Sequence, residues 1–491
     1  MMTISHLING EFRAAAADTF TVIAPATGET LAQVAEGTPD DVNAAVAAAR
    51  ATFPAWSRTS AKERGAILRK LADLIDDHRM EIAELESQDT GTPITQTSKG
   101  IIPRSADNFR YFAEFITRME GRVYPADRTY LNYTLYRPVG VAGLITPWNL
   151  PFMLGTWKVA PALALGNTAV LKPAEQTPLT SDLMGRLALE AGVPPGVLNI
   201  VHGHGETAGD ALIRHEDVNV VSFTGASETG RIILGHGAAT LKRFSMELGG
   251  KSPVLVFADC AFDRAMDAAI LGMFRGNGQR CNAGTRILVE EPIYQRFVEE
   301  YAARAARLEV GDPLDESVRL GPLVSADHLE KVTGCIELGV KEGARLVTGG
   351  NRPTGLPPSL DGGFFMEPTV LADVNNSMSV AQEEIFGPVA CLIPFNGEEE
   401  ALRIANDTRY GLSAYVWTQN LGRAHRLAGE LEVGMVWINS QISRNLNAPF
   451  GGTKESGYGR EGGEYSLETY AEVRNVCVSL GDHAIPRWGV G

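Results

Sequence analysis

The stretch FRGNGQRCNAGTR, Phe274 to Arg286, sets one cysteine, Cys281, between Arg280 and Asn282 in a polar, glycine-rich loop. Structural cysteines pack among apolar neighbours, whereas a thiol in such a loop is placed for chemistry. The thiolate is the nucleophile, an adjacent arginine favours it, and a tight loop can aim backbone N–H groups at an oxygen that gains charge. The loop alone leaves two readings open, a nucleophile or a tight turn with an incidental thiol. Cys335 in KVTGCIELGV and Cys391 in FGPVACLIPF read as core residues, and Cys260 and Cys477 have no chemical company.

A nucleophile needs a base. His202, His204 and His215 lie in polar settings in VHGHGETAGDALIRHEDV, so a Cys/His pair stays open, although none has a local signature. In SMELGGKSPVLVF, Glu247 stands just before a Gly-Gly turn and an apolar strand, which can put a carboxylate at a sheet edge facing a cleft. GHGETAG and VGVAG lack the G-x-G-x-x-G spacing of a dinucleotide turn. VSFTGASETGRIIL does follow a strand and open a helix, so Gly225 to Gly230 could cradle a phosphate.

Behind these loops, amphipathic segments such as PDDVNAAVAAARATF and AKERGAILRKLADLIDDHRMEIAELESQDTG alternate with short β-branched runs, GNTAVLKP, GVLNIVHG and VNVVSFTG. That alternation predicts a doubly wound α/β sheet. A second series, SPVLVF, TRILVE, EPTVLADV, AYVWTQ and GMVWIN, predicts a second α/β domain. GRVYPADRTYLNYTLYRPVG alternates like a hairpin and VRNVCVSL like an edge strand, so the two are expected to pair with each other or with another subunit.

A chain of 491 residues with a formal net charge of −15 has ample length for two cores and no summed basic character for nucleic acid. Its start has no signal-peptide pattern and no stretch is apolar for long enough to span a bilayer, so a soluble cytoplasmic protein without a membrane partner is expected. The five cysteines are odd in number and far apart, with no CxxC pair, which supports neither a disulfide framework nor a metal site.

In order, TPWNLP, LKPAEQTP, FTGASETG, MELGGKSP, GNGQRCNAG, EEIFGPV and PFGGTKESGYGREGG resemble the aldehyde dehydrogenase superfamily along essentially the whole chain, and 34 residues separate Glu247 from Cys281, as in that family. The resemblance implies an α/β fold with an NAD-binding doubly wound domain (1–123 and 141–248), an α/β catalytic domain (249–445) and a small β oligomerisation flap (124–140 and 470–491), assembled as a homodimer or homotetramer. It implies NAD-dependent oxidation of an aldehyde to an acid through a thiohemiacetal and thioester on Cys281. Asn149 and the Cys281 N–H would hold the oxyanion, Glu247 would activate water, and Lys158 with Glu461 would relay protons.

For the cofactor, the resemblance implies Lys172 and Glu175 at the adenosine ribose, where a carboxylate favours NAD over NADP. Gly225 and Ser227 would face the pyrophosphate, Trp148 would lie beside the cofactor, and Glu384 and Phe386 would position the nicotinamide ribose. Ala226-Ser227 departs from the family's frequent Ser-Thr, which puts a phosphate-contacting hydroxyl in question. LNYTLYRPVGV, VRLGPLVS and SVAQEEIFGPVACLIPF are similar to members that act on 5-carboxymethyl-2-hydroxymuconate semialdehyde-type substrates of aromatic catabolism. Arginines are then expected at the carboxylates, Arg104 and Arg444 being the candidates. Asn445 and Asn447 stand where such relatives usually carry an aspartate and a second arginine, so a broader aldehyde or aminoaldehyde (betaine aldehyde-like) substrate is the alternative.

Overall fold

The computed structural model describes residues 2–14, 18–124, 128–481, 483 and 485–489. An eight-stranded sheet runs in the order Gly457–Tyr458, Arg243–Glu247, Val218–Thr224, Val141–Ile145, Thr168–Lys172, Leu198–Ile200, His6–Ile8, Glu11–Arg13. Its five central strands are parallel. Four of them are buried along nearly their whole length, which is why GNTAVLKP and VNVVSFTG read as continuous β-branched runs. Strand order reverses between Val141–Ile145 and Val218–Thr224. A parallel sheet opens a crevice at the carboxyl ends of its strands where the order reverses, and Trp148, Asn149 and Gly225 follow just after those ends.

A seven-stranded sheet carries the second series, in the order Arg345–Thr348, Thr369–Ala372, Val389–Phe395, Arg286–Glu290, Pro253–Val256, Ser413–Trp417, Met435–Ile438. All its pairings are parallel except that of Arg345–Thr348 with Thr369–Ala372. The chain does not stay with this sheet after residue 445. Thr453–Lys454 pairs with Tyr410–Gly411, and Gly457–Tyr458 returns to Met246 and Glu247 at the edge of the first sheet. A third sheet joins Ala471–Ser479 to Tyr130–Pro138 and the latter to Val123–Tyr124, so the two predicted edge segments pair with each other. The hairpin's tip, residues 125–127, lies outside the described residues, as do 482, 484, 490 and 491 of the tail.

Helix starts follow local chemistry. Thr38 and Ser60 each close a capping box, with Asp41 and Glu63, and so begin Pro39–Trp56 and Ala61–Asp77. The long segment predicted from Ala61 is two helices, because the His78 N–H tightens onto Asp76 and Leu74 and a second helix, Arg79–Thr90, restarts and ends at left-handed Gly91. Among the described residues no helix is long and apolar enough to cross a membrane.

Candidate active site

One cavity of about 380 Å³ lies between strand ends of the first sheet, at Thr224 and Glu247, and loops of the second α/β unit, and collects Trp148, Asn149, Gly225, Glu247, Cys281, Glu384, Phe386, Glu461, Arg104 and Arg444. Lys158, Lys172, Glu175 and Ser227 lie outside its lining.

The Cys281 loop is pinned from several sides. Gly276, Asn277 and Gly278 all have positive φ, and a Cβ on Gly278 would fall 2.3 Å from the Gly387 carbonyl oxygen. Asn277 Nδ2 donates to the carbonyls of Gly91 and Pro322 at 3.0 and 2.9 Å, and its Oδ1 accepts from the Gly321 N–H at 2.8 Å. Gln279 Oε1 accepts from the Val324 N–H at 3.0 Å, and Gln96 Oε1 from the Gly276 N–H at 2.9 Å. The asparagine and glutamine that looked like loop polarity are the clamps that fix the thiol's position. Asn149 reaches the same loop, its Nδ2 donating to the Gln279 carbonyl at 2.8 Å, which leaves one amide hydrogen free. Among the described residues the Cys281 N–H has no acceptor.

Arg280 does not make Cys281 a thiolate here. Burial pushes the thiol up to about 12, Glu384 and Glu247 add to this, and Arg280 opposes them without prevailing. The thiol is neutral near pH 7 and must lose its proton to a base. Glu247 is 4 % exposed, and both its carboxylate oxygens lack partners. Burial and then Glu461 hold it well above the usual carboxylate range, against Lys158, Arg444 and Arg460. In its ionised form a carboxylate so placed is a stronger base than a free one. His202, His204 and His215 drop out as bases, since none lines the cavity: His202 is buried, stacked on His6 and pushed down to about 3 by burial, His204 bonds Glu36, and His215 Nδ1 accepts from the Asp217 N–H.

Near Glu247 lies a buried ion pair, Lys158 with Glu461. Lys158 Nζ donates to Glu461 Oε1 and to Ser222 Oγ, each at 2.8 Å, and Ser222 Oγ donates to the same Glu461 oxygen at 2.9 Å. Ser245 Oγ adds a donor at 3.3 Å. Isolated as WK and GRE, Lys158 and Glu461 look like surface residues; neither serine had a signal in the sequence beyond its place in a strand.

On the side facing the first sheet, Trp148 meets the rings of Phe386 and His328 edge-on, both at 5.2 Å between centroids. His328 Nε2–H donates to the Phe386 carbonyl at 2.8 Å, and burial pushes the imidazole down to about 4. This holds Phe386 at φ 61, a backbone state that side chains seldom adopt. Glu384 Oε1 accepts from the Gly250 N–H at 2.9 Å, and burial raises its carboxyl to about 7. Lys172 Nζ bonds Glu175 Oε2 at 2.8 Å at the end of Thr168–Lys172. Ser227 differs from expectation: it is buried and its hydroxyl donates to the Glu455 carbonyl at 2.7 Å, so that hydroxyl is not free for a phosphate. It opens the helix Ser227–Gly237, whose first-turn N–H groups have no side-chain cap. A Cβ on Gly225 would meet the Phe223 ring at 2.4 Å.

On the opposite side Arg444 is sandwiched between the rings of Phe450 and Trp157, 3.9 and 4.4 Å from their centroids, and Arg104 lies 5.8 Å over Trp157. Among the described residues neither makes an ion pair, and the Nη2 of each is buried without an acceptor. Burial, then Arg104, pushes Arg444 down to about 9. Asn445 and Asn447 bond each other and Tyr111 and do not line the cavity. Arg275, Arg280, Trp157 and His328 do line it, and sequence reasoning missed all four as wall residues.

The model of the aldehyde dehydrogenase family matches residues 12–476. The chain is 55% identical to the 5-carboxymethyl-2-hydroxymuconate semialdehyde dehydrogenase of Escherichia coli over 95% of this chain and 99% of that one. Its fold is similar to HpcC from Thermus thermophilus, with a TM-score of 0.97 at 47% identity, over 99% of this chain and 95% of that one. It is similar also to the NAD+ complex of an aldehyde dehydrogenase from Bacillus cereus, with a TM-score of 0.95 at 42% identity, over 98% and 97% of the two chains. With a cysteine loop, a buried carboxylate and an amide donor around one cavity, and likeness along nearly its whole length, the chain belongs to the aldehyde dehydrogenase family.

Proposed function

We propose that the protein oxidises an anionic semialdehyde, of the 5-carboxymethyl-2-hydroxymuconate type, to the carboxylic acid with NAD. The carrying observation is that Cys281, Glu247 and Asn149 share one cavity with the unpaired guanidiniums of Arg104 and Arg444. A buried cation without a partner is costly, and a substrate carboxylate would supply the missing one.

The residues present fit NAD. Thr224 Oγ1 is buried, unpartnered and lines the cavity where the sheet reverses order. The uncapped first turn of Ser227–Gly237 would take the pyrophosphate through backbone N–H groups with Gly225, in place of the Ser227 hydroxyl. Lys172 and Glu175 would hold the adenosine ribose, Glu175 disfavouring a 2′-phosphate, and Trp148, Glu384 and Phe386 would seat the nicotinamide end. When bound, NAD supplies the acceptor for the hydride that leaves the substrate carbon.

Cys281 Sγ attacks the aldehyde carbon while its proton passes to Glu247, and the oxygen that becomes anionic is met by Asn149 Nδ2 and the Cys281 N–H. After the carbon is oxidised, the thioester on Cys281 is cleaved by a water that Glu247 deprotonates, releasing the acid and the thiol. Glu461, Lys158 and Ser222 carry the proton away from Glu247. Residues 1–123 and 141–248 serve as the NAD-binding domain and 249–445 as the catalytic domain, with the strand Gly457–Tyr458 tying the later chain back to the first sheet. The three-stranded sheet exposes Leu135, Val473 and Val478 and is the flap (124–140 and 470–491) through which a homodimer or homotetramer forms. The five free cysteines fit a cytoplasmic setting.

Initial rates of NAD reduction with an anionic semialdehyde and a neutral aldehyde of equal length test this reading. We expect the anion to be favoured, and Arg444→Gln to lower its kcat/KM about 10- to 100-fold, the worth of a charged hydrogen bond. Preference for a neutral or amino aldehyde would contradict it and favour the broader alternative.

A further inference from the structure

The wall that carries Arg444 belongs to the loop after the strand Met435–Ile438, and Ile442, Arg444 and Phe450 of that loop line the cavity. Its start is fixed by Asn439, whose Nδ2 donates to the Thr418 carbonyl at 2.8 Å while its Oδ1 accepts from the Thr418 N–H at 3.1 Å. Trp437 Nε1–H donates across the loop to the Ser443 carbonyl at 2.8 Å. Around these anchors the chain is strained. Ile442 has φ 51, a left-handed state that a branched side chain disfavours, and among the described residues both amide atoms of Gln441 are buried without a hydrogen-bond partner. Such costs persist only where the surroundings impose them.

A notch in the helix Phe262–Phe274, which leads into the Cys281 loop, imposes them here. Gly272 is buried in that helix, and a Cβ on it would fall 2.0 Å from Gln441 Nε2 and 2.8 Å from Cδ. The amide therefore lies against bare helix backbone, in space that any side chain on residue 272 would fill. The Gly272 carbonyl also accepts from the Gly284 N–H at 3.3 Å, three residues after the nucleophile. One glycine thus meets both the loop that carries Arg444 and the loop that carries Cys281.

We propose that Gln441 is a positioning residue: seated in the Gly272 notch, it holds Ile442 and Arg444 at a fixed offset from Cys281, so that the enzyme selects anionic aldehydes by the number of carbons between aldehyde and carboxylate. This rests on the reading of Arg444 as a partner of the substrate carboxylate. Arg444 is clamped between Phe450 and Trp157 and cannot follow a shorter or longer substrate without leaving both rings. Misplacement of a substrate by about 1 Å can cost about 100-fold in rate, so a wall held in register is a ruler for length. Because the amide has no hydrogen-bond partner among the described residues, its shape does the holding, and an apolar side chain of like length should serve as well.

The test uses the full-length enzyme, a series of semialdehydes that differ only in the chain length between aldehyde and carboxylate, and a neutral aldehyde. The wild type should show a sharp optimum of kcat/KM at one length. The Gln441 amide ends a flexible side chain, so Gly272→Ala should evict it from the notch and leave the helix in place. At the preferred length kcat/KM should then fall about 10- to 100-fold, chiefly through KM, while the neutral aldehyde loses less than about threefold. Gln441→Ala, which empties the notch, should flatten the length profile, and Gln441→Met, which fills it, should keep the profile sharp. Gly272→Ala combined with Gln441→Ala should lose less than the two single factors multiplied, because the clash is gone. Equal losses on anionic and neutral substrates in Gly272→Ala, single losses that simply multiply, or a wild-type length profile in Gln441→Ala would each overturn the proposal. A wild type that favours anionic aldehydes but takes every length alike overturns the positioning role alone, whereas one that favours neutral aldehydes overturns the semialdehyde reading itself.

Discussion

Replacing Lys158 with methionine removes one half of an ion pair in which neither side chain is more than 5 % exposed. Among the described residues Glu461 then keeps the hydroxyls of Ser222 and Ser245 as donors, and it still lies near Glu247. Breaking a buried pair by deleting one partner costs about 3–5 kcal/mol, whereas replacing both partners with uncharged groups of similar size is often close to neutral. At roughly 2.1 cal/mol/K of unfolding entropy per residue, a chain of 491 residues unfolding as a unit loses about 3–5 °C in Tm for that cost. Lys158→Met should therefore shift the melting and denaturant midpoints by this amount, and Lys158→Met with Glu461→Gln should recover most of it. Stability and turnover then part company: the double variant folds well but lacks the route by which a proton leaves Glu247, so its steady-state rate stays low while its first turnover persists. Equal destabilisation of single and double variants, or a double variant with normal steady-state turnover, would refute the reasoning.

Asn149→Ala should lower kcat/KM about 100- to 1000-fold, the cost of losing one oxyanion donor, with little change in NAD affinity measured by fluorescence titration. Glu86 is 1 % exposed and burial raises its carboxyl to about 8, so the folded state holds a proton that the unfolded state releases near the ordinary carboxylate value. Its contribution to stability is present at acid pH and is lost as pH rises to about 8, so Glu86→Gln should flatten the decline in denaturant stability between about pH 5 and 8. An unchanged slope contradicts the assignment.

What could be read from the chain was what is local. The strands and helices follow from β-branched runs and amphipathic spacing, because their causes lie within a few residues, whereas the caps Thr38 and Ser60 emerge only with the structure. Cys281 was legible from its polar loop and Glu247 from its place before a Gly-Gly turn, Asn149 came with the family resemblance, and the cavity brings all three together. The walls were not legible. His328, Trp157 and Arg275 sit on helices or at a helix end where histidine, tryptophan and arginine are ordinary, and only the docking of distant elements turns them inward. Arg280 does favour the thiolate, as its place beside Cys281 suggests, but burial and the two carboxylates that outweigh it come from distant parts of the chain. Ser227 likewise has a partner, Glu455, that lies 228 positions away and that no local pattern announces.

The central claim, that Cys281 carries the substrate and Glu247 releases it, is tested most directly by mass spectrometry of Glu247→Gln after mixing with NAD and aldehyde. We predict one reduced nicotinamide per active site, no sustained turnover, and an acyl adduct of the substrate's mass on the peptide containing Cys281. Sustained turnover, or an adduct absent from Cys281, would contradict it.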